Sequence, residues 1–263
     1  MMSGYGFRCA ATIARYTVAE ALKNRILLIA MVFAVVGILA ASFAGDVSVI
    51  EAKRTQVAFL AAIYRFCAVF AIMILVASTI AREFNDKCLE LYLSLPISRT
   101  NYFCGKLIGF YAAGLAPAAV FGAVMLLYAE PLVVGAWFVS LFCELALMAT
   151  VTFFAVLTFN NQLIPSFSAA FFFYFLARLS DSIWLISNAD ILLHTVGVKI
   201  IRFCVYVLYL VLPPLERFSR SDWLMYGDVA DAFGALPLIL AQTALYCLLI
   251  AAAAMVDFRR KNI

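Results

Sequence analysis

REFNDKCLELYLSLPISRTNYFCGK, residues 82–106, is a polar island with an apolar run on each side long enough to cross a bilayer. It holds seven charges, on Arg82, Glu83, Asp86, Lys87, Glu90, Arg99 and Lys106. Phe84, Cys88, Leu91 and Leu95 recur at spacings of four, three and four, which draws one apolar stripe along a short helix. Glu83, Asp86, Lys87 and Glu90 fall off that stripe. Pro96 ends the helix, because its ring and missing N–H disfavour continuation. Ser98 is placed to cap the next helix, which Arg99 and Lys106 begin on its way into the membrane. A short amphipathic helix held between two spans is either a rigid knob on the membrane face or an ordinary loop resting on lipid headgroups.

Composition fixes the class outward from this island. The 263-residue chain is 67% hydrophobic and 13% charged, with a mean hydropathy of +1.04. Soluble domains carry about 25% charged residues, so the chain is expected to be an all-α, polytopic membrane protein. The net charge of +4 is small and gives no reason to expect nucleic acid as a partner. Seven cysteines at positions 9, 67, 88, 104, 143, 204 and 247 include no C-x-x-C pair. Most lie in apolar runs, where a thiol behaves as a small hydrophobe, so neither a disulfide framework nor a metal site is expected. The first long apolar run starts after Arg25 and has no small-residue cleavage pattern, so it is read as a retained span rather than a signal peptide.

Six spans are expected, at about 26–44, 57–81, 107–128, 132–159, 163–179 and 237–256. Each is about as long as a 30 Å hydrocarbon core requires. Residues 5–23 form a weakly amphipathic helix with Arg8, Arg15, Glu20 and Lys23 as its polar positions, suited to the membrane interface. Gly105-x-x-x-Gly109 opens the third span and is read as a packing feature. Between the fifth and sixth spans, Ser180–Leu236 is the longest connection. Its apolar run Phe203–Pro214 is too short to cross, so it is read as an outer-face or re-entrant helix. Amphipathic segments are expected around Trp184–His194 and Ser221–Phe233. Lys and Arg number four in the N-terminal segment, four in the island and three in the C-terminal tail, against two in the first outer loop. Six spans with both termini inside satisfy the positive-inside rule. A seventh span at 196–214 would put Arg259, Arg260 and Lys261 outside.

Arg82-Glu83, then Leu89-Glu90, Leu93, Pro96, Ser98-Arg99, Tyr102 and Gly105-Lys106 resemble the loop after the second span of ATP-binding-cassette permeases of the type-2 (exporter-like) class. Where that family often has a small residue and Thr before its Leu-Glu pair, this chain has Lys87 and Cys88. The span pattern extends the resemblance over nearly the whole chain as a single membrane domain. It implies that the island is a coupling helix docking on a separate ABC ATPase. Arg82, Glu83, Phe84, Lys87, Glu90, Leu91, Leu95, Pro96 and Arg99 would form the docking surface. It further implies an elbow helix at 5–23, a homodimer or paired permease with two ATPase copies, and residence in the cytoplasmic (inner) membrane. No G-x-x-x-x-G-K-[ST] occurs, so ATP and Mg belong on the partner and no cofactor on this chain. Leu212–Phe218, LPPLERF, is also similar to a segment of the permease in the nitrous-oxide-reductase copper-maturation transporter.

Two charges lie well inside spans: Glu144 near the middle of the fourth and Arg65 in the outer part of the second. An intramembrane charge costs several kcal/mol unless paired, protonated or facing water. Both are therefore candidates for a pathway or gate, with a structural ion pair as the alternative. Arg178 and Asp181 are read as anchors at the outer interface, and His194 has no partner pattern. No catalytic motif is present, so the chain is read as a transport subunit rather than an enzyme. A nucleotide-independent transporter or channel, and a membrane scaffold, stay open as alternatives.

Overall fold

The computed structural model describes residues 2–23, 26–47, 51–86, 98–159, 162–188, 203, 206, 207, 209 and 212–260. The described residues form helices and no strand. In chain order these are α1 (Met2–Lys23), α2 (Ile26–Val47), α3 (Ala52–Asn85), α4 (Arg99–Met125), α5 (Pro131–Thr158) and α6 (Leu163–Asn188). A 3-10 turn at Leu215–Arg217, α7 (Ser221–Tyr226) and α8 (Val229–Arg260) complete the set. Among the described residues, five helices are long and apolar enough to cross a membrane: α3, α4, α5, the Leu163–Ser180 part of α6, and α8. A sixth follows if α1 and α2, which meet at a bend of 51°, count as one broken span.

α5 is apolar on all sides, and a helix of that kind is buried on all sides. It touches α3, α4, α6 and α8, and Trp137, Leu141, Glu144, Leu147, Met148 and Val156 are all buried along it. α2 lies outside, against α3, where the Tyr64 hydroxyl donates to the Ala34 carbonyl at 2.8 Å. Gly37 gives room for the Tyr64 ring, which also stacks on Phe121 with centroids 4.7 Å apart. The outer faces of α2 and α8 expose Leu28, Val35, Leu39, Phe43, Leu238, Leu245 and Leu248. A water-facing surface does not tolerate so continuous an apolar face, whereas lipid tails are as apolar as leucine.

Helix ends depart from the expected spans where capping chemistry extends them. Ser98 caps α4 as expected, accepting from the Asn101 amide at 3.3 Å. α8 starts eight residues before the expected Pro237, because the Asp228 side chain accepts from the Asp231 amide at 3.1 Å and so opens the helix earlier. α6 continues past Leu179 to Asn188. Of the expected Phe203–Pro214 helix, residues 204, 205, 208, 210 and 211 lie outside the described residues; Phe203, Tyr206, Val207 and Tyr209 are helical, and Leu212–Pro214 are not. The Trp184–His194 segment lies outside them from residue 189 on. Of the expected Ser221–Phe233 segment, α7 takes the first part and the start of α8 the rest, with Gly227 (φ 66°) turning the chain between them.

The glycine pair of α4 seats α1. A Cβ on Gly105 would lie 2.8 Å from the Ala10 carbonyl oxygen and 2.9 Å from Ile13 Cβ. One on Gly109 would lie 3.0 Å from the Ala14 carbonyl oxygen. Two helix backbones meet this closely only where the side chain is absent. Gly109→Ala is expected to destabilise the full chain by about 1–3 kcal/mol through overpacking. Gly135→Ala, where nothing lies within 4 Å, should instead gain up to about 1 kcal/mol of helix propensity. Thermal unfolding of both variants in one detergent checks the opposite signs.

Candidate functional site

The two stems of the polar island meet in a buried ionic junction. Glu83 is in the last turn of α3 and Lys106 in the third turn of α4; they are 9% and 4% exposed. They form an ion pair, and the Tyr102 hydroxyl donates to the second Glu83 oxygen at 2.5 Å. Both Glu83 oxygens are thus satisfied, the condition under which a buried carboxylate is tolerated. Glu20 of α1 adds longer contacts, 3.9 Å to Lys106 and 3.8 Å to the largely exposed Arg82. Tyr102 stacks on Phe258 of α8 with centroids 6.0 Å apart, and Arg99 donates to the Phe258 carbonyl at 3.4 Å. Four helices, α1, α3, α4 and α8, are joined at this end of the bundle. A cavity of about 430 Å³ beside the junction is lined by Tyr16, Glu20, Lys23, Arg82, Glu83 and Lys106.

Of the sequence-predicted docking residues, Arg82, Glu83, Phe84 and Arg99 are described. Phe84 is half-buried against the core, and Arg82 faces outward. Lys87, Glu90, Leu91, Leu95 and Pro96 lie outside the described residues. Glu83 is not a surface group: it faces Lys106 and Tyr102, which span spacing alone could not pair with it.

A second cluster lies toward the opposite end of the bundle. Arg65 of α3 is 7% exposed and Glu144 of α5 is fully buried. Arg65 Nη1 donates to the Ser219 carbonyl at 2.9 Å. Glu144 Oε1 accepts from the Tyr174 hydroxyl at 3.1 Å and lies 3.7 Å from Arg178 Nη1. Arg178, expected to anchor at the outer interface, instead turns inward, because α6 runs on past it to Asn188. Its guanidinium also donates to the Leu215 and Phe218 carbonyls, at 2.5 and 3.2 Å. The Ser219 amide donates to Ser140 Oγ at 2.8 Å.

The turn at 215–219 is therefore inserted between α3, α5 and α6 and tied to all three. Leu215, Phe218 and Ser219 are fully buried in it. Ser219 has φ 47°, a left-handed backbone that costs a β-carbon residue of order 1 kcal/mol and persists because its flanking groups are pinned. The Leu212–Phe218 segment singled out in the sequence is the body of this insertion.

The cluster is not saturated. Arg65 Nε, Glu144 Oε2, Ser219 Oγ and Trp137 Nε1 are buried without a hydrogen-bond partner. Trp137, Ser140 and Glu144 recur on one face of α5 at helical spacing. A carboxylate with a free oxygen lies beside the arginines, and the two arginines grip the turn only through its carbonyls, a clasp made without secondary structure. Sequence reasoning found Arg65 and Glu144 but missed Tyr174, Arg178, Ser140 and Ser219. The Tyr174 and Arg178 spacing of four was the available signal, since it puts both on one helix face.

At the end of α3 away from the ionic junction, Arg54 stands 5.3 Å over the Tyr226 ring and pairs with Glu51. A cavity of about 610 Å³ opens there, bounded also by Tyr128, Glu130 and Leu224.

A family model described as ABC-2 family transporter protein matches residues 11–175, more than half of the chain. The match runs from α1 into α6 and includes Arg65, Glu83, Lys106 and Glu144. No curated protein matches the chain.

Proposed function

The chain belongs to the ABC-2 transporter family, and from that premise we propose that it is the permease subunit through which a separate ABC ATPase drives export. Its role is transport rather than enzymatic chemistry; ATP and Mg are bound by two copies of the ATPase chain, and two permeases pair across the membrane. The polar island, facing the cytoplasm with both termini of this inner-membrane protein, docks through Arg82, Phe84, Lys87, Glu90, Leu91, Leu95, Pro96 and Arg99. ATP binding closes the ATPase pair and displaces the island, and rigid-body rocking of the helices alternates access. α3 and α6 flank the pathway, and Arg65 and Glu144 gate it through the 215–219 turn. The short similarity at Leu212–Phe218 to the copper-maturation permease adds no substrate to this reading.

One observation carries the proposal: the stems of the island are locked by Glu83, Tyr102 and Lys106 to each other and through Tyr102 to α8. A load on the island then reaches several spans at once rather than bending a slack loop. Glu83 accordingly serves less as a contact for the ATPase than as the tie that keeps the stems together.

Leu91→Asp puts a charge on the apolar stripe of the island and should abolish capture of a Walker-motif ATPase with the full chain from native membranes. Insertion and yield should stay at wild-type levels, since Leu91 is not part of a span. Undiminished capture, or reporter fusions near residue 90 emerging on the outer side, would overturn the docking assignment.

A further inference from the structure

α1 divides into two faces with different partners. Ala10, Ile13, Thr17 and Ala21 turn toward the bundle, and the first three of these meet the glycines of α4. The opposite face carries Arg8, Thr12, Arg15, Ala19 and Lys23, all exposed. At 100° per residue, Arg8, Arg15 and Lys23 fall within an arc of about 80°. They are all the basic residues of α1, and none makes an ion pair among the described residues. The single carboxylate of the helix, Glu20, is turned aside toward Lys106 and Arg82. Tyr16 is 72% exposed at one edge of the cationic strip and Leu22 48% exposed at the other.

Position restricts what can cover this face. α1 meets α2 at a bend of 51°, so it runs obliquely to the direction of α2. Three uncovered cations are not stable in hydrocarbon, and the strip therefore lies at the level of the headgroups. There an aromatic and a leucine flanking basic residues match the mixed polarity of the interface. Two cavities flank Tyr16. One, of about 440 Å³, is lined by Thr12, Arg15, Tyr16 and Ala19; the other is the 430 Å³ cavity that Lys23 and Arg82 share with the ionic junction. Each places at least one cation, Arg15 or Lys23, beside the Tyr16 ring.

We infer that this face is a binding surface for anionic phospholipid, with headgroup phosphates held by Arg8, Arg15 and Lys23 and the lipid body resting against Tyr16 and Leu22. The inference does not depend on the transport reading, because it needs only the bilayer and the charge of α1. It has a mechanical corollary: a lipid held at Lys23 borders Arg82 and Glu20, so the headgroup layer touches the ionic junction directly.

The test uses the full-length chain in detergent, followed by native mass spectrometry after addition of phosphatidylglycerol or phosphatidylcholine of identical acyl chains. Wild type should retain phosphatidylglycerol in clear preference. Each basic residue near an anionic surface is worth roughly fivefold in affinity, so Arg8→Gln/Arg15→Gln/Lys23→Gln should lose the preference by on the order of a hundredfold. Arg8→Lys/Arg15→Lys, which keeps the charge, should retain it and serves as the folding control. An unchanged preference in the triple variant overturns the inference. So does equal competition by inorganic phosphate, which would make the face a site for free anions. Loss of ATPase capture in the triple variant with lipid preference intact would assign the face to the ATPase instead, and equally overturns it.

Discussion

Lys106→Met is expected to lower the stability of the full chain by about 3–5 kcal/mol, the cost of leaving one member of a buried ion pair without the other. Glu83 then remains under the membrane face with only the Tyr102 hydroxyl to satisfy it. Glu83→Gln alone leaves Lys106 with the longer Glu20 contact at 3.9 Å and should cost somewhat less. The double variant Glu83→Gln/Lys106→Met removes both charges and should recover most of the loss, because neither charge then has to be buried unpaired. Denaturant unfolding in mixed micelles across this double-mutant cycle gives the coupling directly. Strictly additive losses would mean that the pair is not a pair in solution. Glu20→Gln, touching only the exposed rim of the junction, should change stability by less than about 1 kcal/mol.

The second large effect concerns the inserted turn. Arg178→Leu removes two hydrogen bonds from a charged donor to the Leu215 and Phe218 carbonyls, and bonds of that type contribute about 1.5–3 kcal/mol each. It also strips Glu144 of its counter-ion and so leaves a fully buried carboxylate unpaired. The turn should open locally while the helices stay folded. Hydrogen exchange at the Ser219 amide, which donates to Ser140, should accelerate by about two to four orders of magnitude, with little change in α5. Arg65→Leu releases one carbonyl of the turn, that of Ser219, where Arg178→Leu releases two, and should produce the same change to a smaller extent. If exchange at Ser219 is unaltered in Arg178→Leu, the turn is held by packing of Leu215 and Phe218 alone and the clasp has no energetic role.

The membrane class and the helix order were legible because apolar run length reports directly on span length. So was the Ser98 cap, which is local chemistry. Gly105 and Gly109 could be recognised as a packing face, but nothing in their spacing says that α1 is what packs there. The ionic junction was hidden for the same reason: Glu83 and Lys106 are separated by the whole island, and only the antiparallel return of the chain brings them together. The region after α6 was least legible. Its end was set at Leu179 by hydropathy, which left Arg178 at a boundary, whereas the helix runs on and turns that arginine toward Glu144. The inserted turn depends on a left-handed serine, and serine gives no signal of that conformation. Family membership supports the permease reading.

α3 contains neither glycine nor proline along its 34 residues, so it has no built-in point of weakness at which to bend. Arg65, fastened to Ser219, divides it into an arm of about 30 Å toward Asn85 and one of about 20 Å toward Ala52 at 1.5 Å per residue. A stiff rod held at such a fulcrum reverses and reduces motion. A sideways shift of about 5 Å at Glu83 would reappear at Arg54 as about 3 Å in the opposite sense. That is enough to carry the Arg54 guanidinium off the Tyr226 ring and change the width of the cavity they border.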